Sequence, residues 1–220
     1  MCANFKAIKR NRTYLLGLSE PPFDFPEDVF PLYDAPILIH GADQPEWDLA
    51  KFGLIPFWAK ELKYGRHTYN ARTETVAEKP SFRHAWHKNQ FALIPVDAIF
   101  EPKYIDGKPQ WYEIAREDGL PFTMAAIYEN AVINDQPIRS MSLLTMNADQ
   151  HPFMKQFHAP NHEKRSIIVI PEENRTDWLN CTSSEATQFF VVMQDEYVAT
   201  PKILIGETYF NDLLFMNHLI

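Results

Sequence analysis

The sequence predicts an α+β fold with a mostly antiparallel sheet or barrel at its centre. Seventeen prolines against seven glycines favour short extended elements joined by rigid corners over long helices. Apolar runs typical of strands occupy the middle of the chain, and helical patterns lie around them. The 220 residues contain no internal repeat and no linker-like tract, so we expect a single domain over residues 1–220.

Local patterns predict the individual elements. Apolar and alternating runs predict strands at residues 37–40, 91–101, 110–116, 121–130, 141–148 and 165–171. The dipeptide Asp106-Gly107 suits a tight turn and predicts a hairpin around it. Helical patterns are best at 71–88, 172–180, 183–192 and 207–219, and residues 182–185 offer capping chemistry for the third of these. The proline-rich, acidic segment 21–36 is typical of a surface loop.

Composition excludes several classes of protein. Hydrophobic residues make up 45% of the chain and charged residues 23%, which are ordinary values for a globular protein and argue against wholesale disorder. Two cysteines do not make a disulfide framework, and the start MCANFKAIKR has no apolar signal core. No window approaches 18 uninterrupted apolar residues, which excludes a membrane-spanning helix. We therefore expect a soluble, cytoplasmic protein.

The charge is unevenly distributed. A formal net charge of −8 argues against a general nucleic-acid coat, which would be strongly basic. Residues 22–48 carry seven acids and no Lys or Arg, whereas residues 60–90 carry seven bases against three acids, and residues 1–12 carry four bases and no acid. The two basic segments form either a solvated face or a local anion-binding stripe.

Cys2 is the most informative residue for function. Removal of Met1 would expose a cysteine with a free α-amine, which places a thiol and an amine two carbons apart. Such a 1,2-aminothiol condenses with an aldehyde: the amine attacks first to give a Schiff base, and the thiol then closes a five-membered thiazolidine ring. The simpler alternative is a residue that merely occupies a frayed terminus.

Two further segments carry groups suited to this chemistry. In YNARTETVAEKPSF (69–82), Asn70 and Arg72 can hydrogen-bond a sugar or a phosphate, while Thr73 and Glu74 suit a helix cap. Glu101 ends an apolar strand, where desolvation would raise the pKa of the carboxyl and suit it to proton transfer. The alternative for Glu101 is a strand-end ion pair with Lys103.

Several histidines are candidates for proton transfer or metal binding. His158 lies in a loop that enters a strand and can shuttle protons near neutral pH, with His162 close behind it. His84 and His87 are three positions apart, but no acidic or cysteine partner accompanies them at ligand spacing. The sequence therefore predicts no metal site, and nothing in it implies a cofactor. Cys181 is most simply a buried structural thiol.

Five ordered blocks follow Cys2 and together resemble one family. They are FGLIPFWAK (52–60), YNARTETVAEKPSFRHAW (69–86), FALIPVDAIFEPKY (91–104), MNADQHPFMKQFHAP (146–160) and the KRSIIVIP that follows. The sequence is similar, from residue 2 to about 180, to the SOS-response-associated peptidase (SRAP) family. The resemblance implies a barrel-like β core with surrounding short helices. It also implies a protein that crosslinks covalently to abasic sites in single-stranded DNA during the DNA damage response.

The resemblance also implies roles for individual residues. Cys2 would be the nucleophile, Asn70 would position the opened sugar, Glu101 would be the acid/base, and His158 would assist ring opening and Schiff-base chemistry. For DNA binding, Arg72 looks like a phosphate contact and Trp58 like part of an aromatic platform. The partner would be single-stranded DNA containing abasic sites, bound by a monomer that is cytoplasmic and associates with the nucleoid at damage.

Three departures from the family pattern bear on these roles. The usual MCGR start is MCAN, so Asn4 stands where an arginine is expected to touch phosphate. Pro102 replaces the usual Trp after Glu101, and the usual His-x-Arg-Met-Pro is expanded to HAPNHEKRS, which makes His162 an alternative to His158. Two other functions compete: an N-terminal-cysteine hydrolase acting on peptides or amides, and a noncovalent binder of modified DNA.

Overall fold

A computed structural model describes residues 2–42, 44–191, 193 and 196–202. Met1 and the helix predicted at 207–219 lie outside the described residues. Within them the chain forms eleven strands: β1 (Phe5–Ala7), β2 (Asp28–Val29), β3 (Asp34–Ile39), β4 (Glu46–Phe52), β5 (Asn70–Arg72), β6 (Phe91–Ile105), β7 (Lys108–Arg116), β8 (Phe122–Ile133), β9 (Gln136–Asn147), β10 (Arg165–Ile167) and β11 (Tyr197–Pro201).

The strands form one sheet that closes partly on itself. β6 pairs with β8, β8 with β9, β9 with β4, β4 with β3, and β3 with β6 again, so five strands complete a ring. The remaining strands extend the sheet from this ring. Most pairs are antiparallel; in the described part of the chain β4 and β5 run parallel to β9. The expected mostly antiparallel, barrel-like α+β architecture is confirmed.

Two tight turns join the long strands. At the predicted hairpin, Asp106 (φ 50°) and Gly107 (φ 75°) both adopt the left-handed conformation that a type I′ turn requires. Asn134 (φ 50°) and Asp135 (φ 60°) make a second such turn between β8 and β9. Asn and Asp tolerate this conformation better than other non-glycine residues, because their short side chains hydrogen-bond locally.

The helices are shorter than the sequence predicts. The pattern at 71–88 gives only one α-helix, α1 (Arg83–His87), because Pro80 lacks an N–H and disfavours helical backbone at Lys79. Residues 172–180 form a 3₁₀ turn followed by α2 (Arg175–Asn180), as expected. In the segment predicted at 183–192, the described residues 183–191 form only a 3₁₀ helix. The described 3₁₀ helices are Arg10–Leu16, Leu62–His67, Met154–Gln156, Glu172–Asn174 and Ala186–Phe189. The described residues include no helix that could span a membrane.

The predicted surface loop at 21–36 and the strand list both need correction. Within that segment Val29 belongs to β2 and is buried, and β3 begins at Asp34. β4, with the sequence EWDLAKF, was not among the predicted strands because its charged residues mask the alternation. The core that forms between these elements is rich in aromatic side chains, and Trp178 of α2 anchors its helix by donating a hydrogen bond to the Ala92 carbonyl of β6 (2.9 Å).

Candidate active site

Four residues far apart in the sequence converge at one end of β6. Cys2 lies just before β1, which pairs with β6, and the Phe100 N–H donates to the Asn4 carbonyl at 3.1 Å. Asn70 Nδ2 donates to the Cys2 carbonyl at 2.8 Å. Glu101 of β6 shares a 2.8 Å hydrogen bond with His158 Nε2. The structure thus brings the predicted chemical residues Cys2, Asn70, Glu101 and His158 together.

His158 is held in an unusual backbone conformation. Its φ of 65° lies in the left-handed region, which costs free energy for a residue with a Cβ and persists only where the surroundings enforce it. The His158 N–H donates to the Pro102 carbonyl at 2.7 Å, one residue beyond Glu101. Lys164 Nζ donates to the carbonyls of His158 and Ala159 at 3.1 and 2.8 Å. These bonds fix the ring against Glu101.

A buried arginine ties the His158 loop to the strand end that carries Asn70. The Arg165 side chain donates to both carboxylate oxygens of Glu74 at 2.9 and 2.8 Å, and to Glu163 at 2.7 Å. It also donates to the Thr145 carbonyl of β9 at 2.6 Å. Bidentate arginine–carboxylate bonds are among the strongest hydrogen bonds in proteins. They hold the pKa of Glu74 at about 2, although burial works in the opposite direction.

Sequence reasoning missed this arrangement. Glu74 serves Arg165 and the Asn147 N–H instead of capping a helix. The signal available was the Lys164-Arg165 pair directly after the histidine loop, but its acidic partner is 91 positions away.

Aromatic rings pack beside the cluster. Phe5 and Phe52 make an edge-to-face contact at 5.1 Å between ring centroids, and Phe52 and Tyr69 make another at 5.7 Å. Edge-to-face pairs add specific geometry to hydrophobic burial. Phe5 follows Cys2 by three residues and Tyr69 directly precedes Asn70, so this packing holds both site segments.

Burial controls the protonation of the thiol. Cys2 is 1% exposed, and this burial raises the pKa of its thiol, as does the nearby negative charge of Glu101. Burial likewise raises the pKa of Tyr69 to about 12, with Glu101 and Cys2 contributing. The thiol therefore rests protonated, and the Cys2 Sγ contacts the Asn4 carbonyl at 3.4 Å.

The prediction for the Glu101 pKa was wrong in direction. Burial does raise this pKa, but positive charge near the carboxylate, including that of His158, outweighs burial, and the net pKa lies below its usual value. Glu101 therefore rests as a carboxylate. The alternative partner, Lys103, bonds Gln156 instead.

The site combines a base, a thiol and an amide with spare hydrogen-bonding capacity. Glu101 can accept a proton, and His158 can stabilise either form of it. Asn70 Oδ1 is buried and has no hydrogen-bond partner among the described residues, so it can accept a bond from a group that enters the site. A proton-transfer pair, a thiol nucleophile and a hydrogen-bonding amide are the groups needed to add a nucleophile to a carbonyl carbon.

The two predicted DNA contacts lie outside the buried cluster. Arg72 ends β5, and its guanidinium pairs with Glu163 at 2.8 Å while remaining half-exposed. Trp58 is 43% exposed and contacts Tyr64 edge-to-face at 5.2 Å. Trp58 lines an open groove of about 500 Å³ together with side chains from residues 59–67, among them Lys60 and Tyr64.

The two basic segments differ in the structure. In residues 1–12, each basic side chain has an acidic partner: Lys6 and Lys9 pair with Glu27, Arg10 with Asp24, and Arg12 with Asp97. In residues 60–90, by contrast, four side chains make no ion pair within the described part of the chain. These are Lys60, Lys79, Arg83 and Lys88. An anion-binding stripe is therefore favoured only in the second segment.

Two of the three departures from the family pattern, Asn4 and the expanded histidine loop, can be interpreted from the structure. Asn4 is buried and donates to the Val29 carbonyl at 3.0 Å, so it fastens β1 to β2. His162 is exposed, whereas His158 contacts Glu101.

Of the other histidines, His84 pairs with Glu129 and His87 bonds a backbone carbonyl. The described residues contain no group of three or more His, Cys, Asp or Glu side chains placed to hold a metal ion.

The chain was compared with known families and structures. A family model described as SOS response associated peptidase (SRAP) matches residues 1–202. The chain belongs to the SRAP family. The solved structure of a protein from Bordetella bronchiseptica superimposes with a TM-score of 0.85 at 28% identity, covering 92% of this chain and 100% of the other. A protein from Bacteroides thetaiotaomicron shares the fold with a TM-score of 0.72 at 21% identity, covering 91% of each chain.

Curated relatives carry a common name. The Bacillus subtilis (strain 168) protein named abasic site processing protein YoaM is 31% identical over 132 residues, which is 59% of this SRAP chain and 55% of the relative. The Escherichia coli (strain K12) protein named abasic site processing protein YedK is 28% identical over 189 residues, or 81% of this chain and 79% of the relative. The match spans about half the length of YoaM.

Proposed function

We propose that this SRAP protein captures abasic sites in single-stranded DNA through a thiazolidine formed by Cys2. The observation that carries the proposal is the contact of Asn70 with the Cys2 backbone and of His158 with Glu101, all beside a buried thiol. The relatives' names, which refer to abasic-site processing, agree with it. The crosslink would shield the lesion from strand cleavage during the DNA damage response.

The first step joins the amine to the sugar. After loss of Met1, the Glu101 carboxylate takes a proton from the α-ammonium of Cys2. The freed amine attacks the C1′ aldehyde of the ring-opened deoxyribose and a C–N bond forms. A proton then moves from the nitrogen to the former aldehyde oxygen, which becomes a hydroxyl. Glu101 returns its proton to that hydroxyl, which leaves as water and gives an iminium. Asn70 Oδ1 accepts a hydrogen bond from the sugar.

The second step closes the ring. The thiol sulfur adds to the iminium carbon, a C–S bond forms, and the thiol proton passes to the Glu101 carboxylate. The product is a neutral thiazolidine, and one water has been lost overall. A protonated thiol suits this order of events, because it does not compete with the amine for the aldehyde and loses its proton only when the ring forms.

Glu101 and His158 also supply the groups that hydrolysis of the Met1–Cys2 peptide bond requires. We propose that the protein removes Met1 itself with this pair, which fits the word peptidase in the family description. The intact mass of protein freshly expressed as the Glu101→Gln variant tests this step. Retention of Met1 in the variant but not in the wild type is the expected result.

The competing function, an N-terminal-cysteine hydrolase, requires the sulfur as the primary nucleophile. Hydrolases that use cysteine lower the pKa of the thiol, since the thiolate is the reactive form. Here burial raises the pKa of Cys2. The thiol of this protein is thus better suited to trapping an iminium than to attacking an amide.

Denaturing gel electrophoresis separates the candidate functions. Protein mixed with a single-stranded oligonucleotide containing one abasic site should give a band that survives denaturation, whereas the undamaged oligonucleotide should not. A noncovalent binder leaves no such band with either oligonucleotide. A hydrolase turns over peptides or amides in the absence of DNA. Cys181→Ala is the matched control, because it removes the other buried thiol of the described chain.

A further inference from the structure

Lys103 is a cation beside the proposed active site that the proposed chemistry does not use. The alternative considered from the sequence was a pair with Glu101, but Lys103 Nζ donates to Gln156 Oε1 at 2.9 Å instead. The ammonium makes no ion pair within the described chain, and the side chain is partly exposed. A positive charge held at the surface without an acidic partner is available to an anionic ligand.

The backbone places Lys103 on the same face of the sheet as Glu101. Alternate residues of a strand point to one face, so Glu101 and Lys103 of β6 share a face at positions about 6.6 Å apart along the strand. Tyr112 of β7 lies directly opposite Glu101, and Lys103 Nζ is 5.8 Å from the centre of its ring. The ammonium is therefore held next to the carboxylate that the proposed mechanism uses as a base.

The segment that carries His158 also holds Lys103. His158 bonds Glu101, and Gln156, two residues earlier, bonds Lys103, so two hydrogen bonds run side by side from this segment to β6. Gln156 Nε2 donates to the Phe153 carbonyl at 2.9 Å, which fixes the amide that receives the ammonium. Because Lys103 has a defined position before a ligand binds, its side chain loses less conformational entropy on binding.

Lys103 and Arg72 belong to two strands that are not neighbours in the sheet but both reach Cys2. In the described part of the chain β5 pairs only with β9, and Asn70 of β5 bonds the Cys2 carbonyl. Cys2 also lies just before β1, which pairs with β6. Each of the two strands, β5 and β6, thus presents a proposed active-site residue and, two positions later, a cation. Cations on separate strands are placed to bind two different anionic groups.

A single strand of DNA offers such groups at a regular spacing. An abasic nucleotide keeps the phosphates on both of its sides, and these are the charged groups nearest to the sugar that Cys2 would capture. Lysine binds phosphate as a point charge and arginine as a planar fork. Phosphate contacts position a nucleic acid without reading its sequence, which suits a lesion defined by a missing base.

We propose that Lys103 binds a phosphate that flanks the abasic nucleotide, on the opposite flank from the phosphate bound by Arg72. This inference rests on the proposed function for its substrate. The two cations together would hold the sugar of the lesion at Cys2 by the phosphates on either side of it.

The test measures affinity for a single-stranded oligonucleotide with a tetrahydrofuran abasic analogue, which has no aldehyde and does not crosslink. A methylphosphonate replaces one flanking phosphate at a time and removes its charge. Lys103→Gln removes the positive charge and keeps a donor for Gln156, and Lys103→Arg keeps the charge. Lys108→Gln is the matched control, because Lys108 is on the same hairpin but at its far end, opposite Ile105. Thermal unfolding establishes that all variants are folded.

We expect Lys103→Gln to bind this oligonucleotide about threefold to fivefold more weakly than the wild type. The log–log dependence of its affinity on salt should flatten by about 0.7 units. A methylphosphonate at one flank should weaken the wild type and leave Lys103→Gln almost unchanged, whereas at the other flank it should weaken both. Arg72→Ala should show the reverse pattern, and Lys103→Arg and Lys108→Gln should behave as wild type.

Wild-type affinity and salt dependence in folded Lys103→Gln would overturn the proposal. Equal losses for the wild type and Lys103→Gln at both flanks, or coupling of Lys103 and Arg72 to the same flank, would also overturn it. If Lys103 is coupled to its own flank but a true abasic site gives no crosslink, the proposed function fails while the phosphate contact stands.

Discussion

Cys2 and Glu101 are 1% and 2% exposed, whereas Phe57 and Trp58 are 53% and 43% exposed. The buried region contains paired groups: Glu101 with His158, and Asn70 with the Cys2 backbone. The exposed region combines aromatic rings with cations that have no acidic partner in the described chain. The difference provides the two environments that the proposed function requires: desolvated pairs set proton affinities, and an open aromatic and basic surface suits a charged polymer.

The largest effect is expected from substituting Cys2, the proposed nucleophile of the buried region. Cys2→Ala keeps a small second residue and leaves the Glu101–His158 pair intact, so Met1 is still removed and the α-amine stays where Asn70 holds the backbone. The amine should form a Schiff base that no thiol traps, and β-elimination should then cut the strand. We expect no crosslink without borohydride, a crosslink with it, and slow strand cleavage.

The control for this experiment is Cys181→Ala, which should crosslink as the wild type does. A retained N-terminal extension should abolish both crosslinking and cleavage. Denaturation-resistant crosslinks in Cys2→Ala without a reductant would rule out the thiazolidine and direct attention to Lys6 or Lys9.

The next largest effect concerns the base. Glu101→Gln keeps the shape of the side chain but cannot take or return a proton, so crosslinking by the variant should slow about a hundredfold or more even after an added aminopeptidase has removed Met1. Because the wild-type pKa is lowered, the carboxylate persists as the pH falls through the usual range for Glu. The rate of wild-type crosslinking should therefore fall through protonation of Glu101 only at pH values below that range. A fall in rate that depends on Glu101 and begins above that range would contradict the role of Glu101 as a resting base.

His158 and His162 allow a direct comparison of the two environments, because His158 is buried and His162 is exposed. His158→Ala leaves Glu101 without its hydrogen-bond partner, so crosslinking or its reversal should slow at least about tenfold. His162→Ala changes an exposed side chain of the same loop and should leave both rates unchanged. Single-turnover gel assays measure both rates, and the opposite ranking would mean that His162 is the functional residue.

The smallest effect is expected at the exposed surface. Arg72→Ala removes one proposed phosphate contact, so the log–log dependence of single-strand affinity on salt should flatten by about 0.7 units. Arg10→Ala, which breaks an exposed pair with Asp24, should not change the slope. Fluorescence anisotropy at several salt concentrations measures both. An unchanged slope for Arg72→Ala would show that Glu163 keeps this guanidinium from the DNA.

Elements that depend on neighbouring residues can be predicted from this sequence, whereas pairings between distant residues cannot. The dipeptide Asp106-Gly107 predicts its own turn, and the apolar run at 91–101 predicts β6. The helix predicted at 71–88 fails at Pro80, a signal that was present but outweighed by periodicity. The Glu101 pKa could not be predicted, because its direction depends on positive charges that the fold brings to the carboxylate, the chain's N-terminus first and then His158 from 57 positions away. The family resemblance supplied the candidate residues, whereas their contacts required the fold.

The burial of Cys2 has a consequence for the lifetime of the protein in an oxidising cell. Peroxides attack the thiolate form of cysteine and need access to the sulfur. Cys2 offers neither, because its side chain is buried and its pKa is raised. Under the proposed function, oxidants that damage DNA would spare the thiol that captures the lesion, and Cys2 would stay reduced until an aldehyde reaches it.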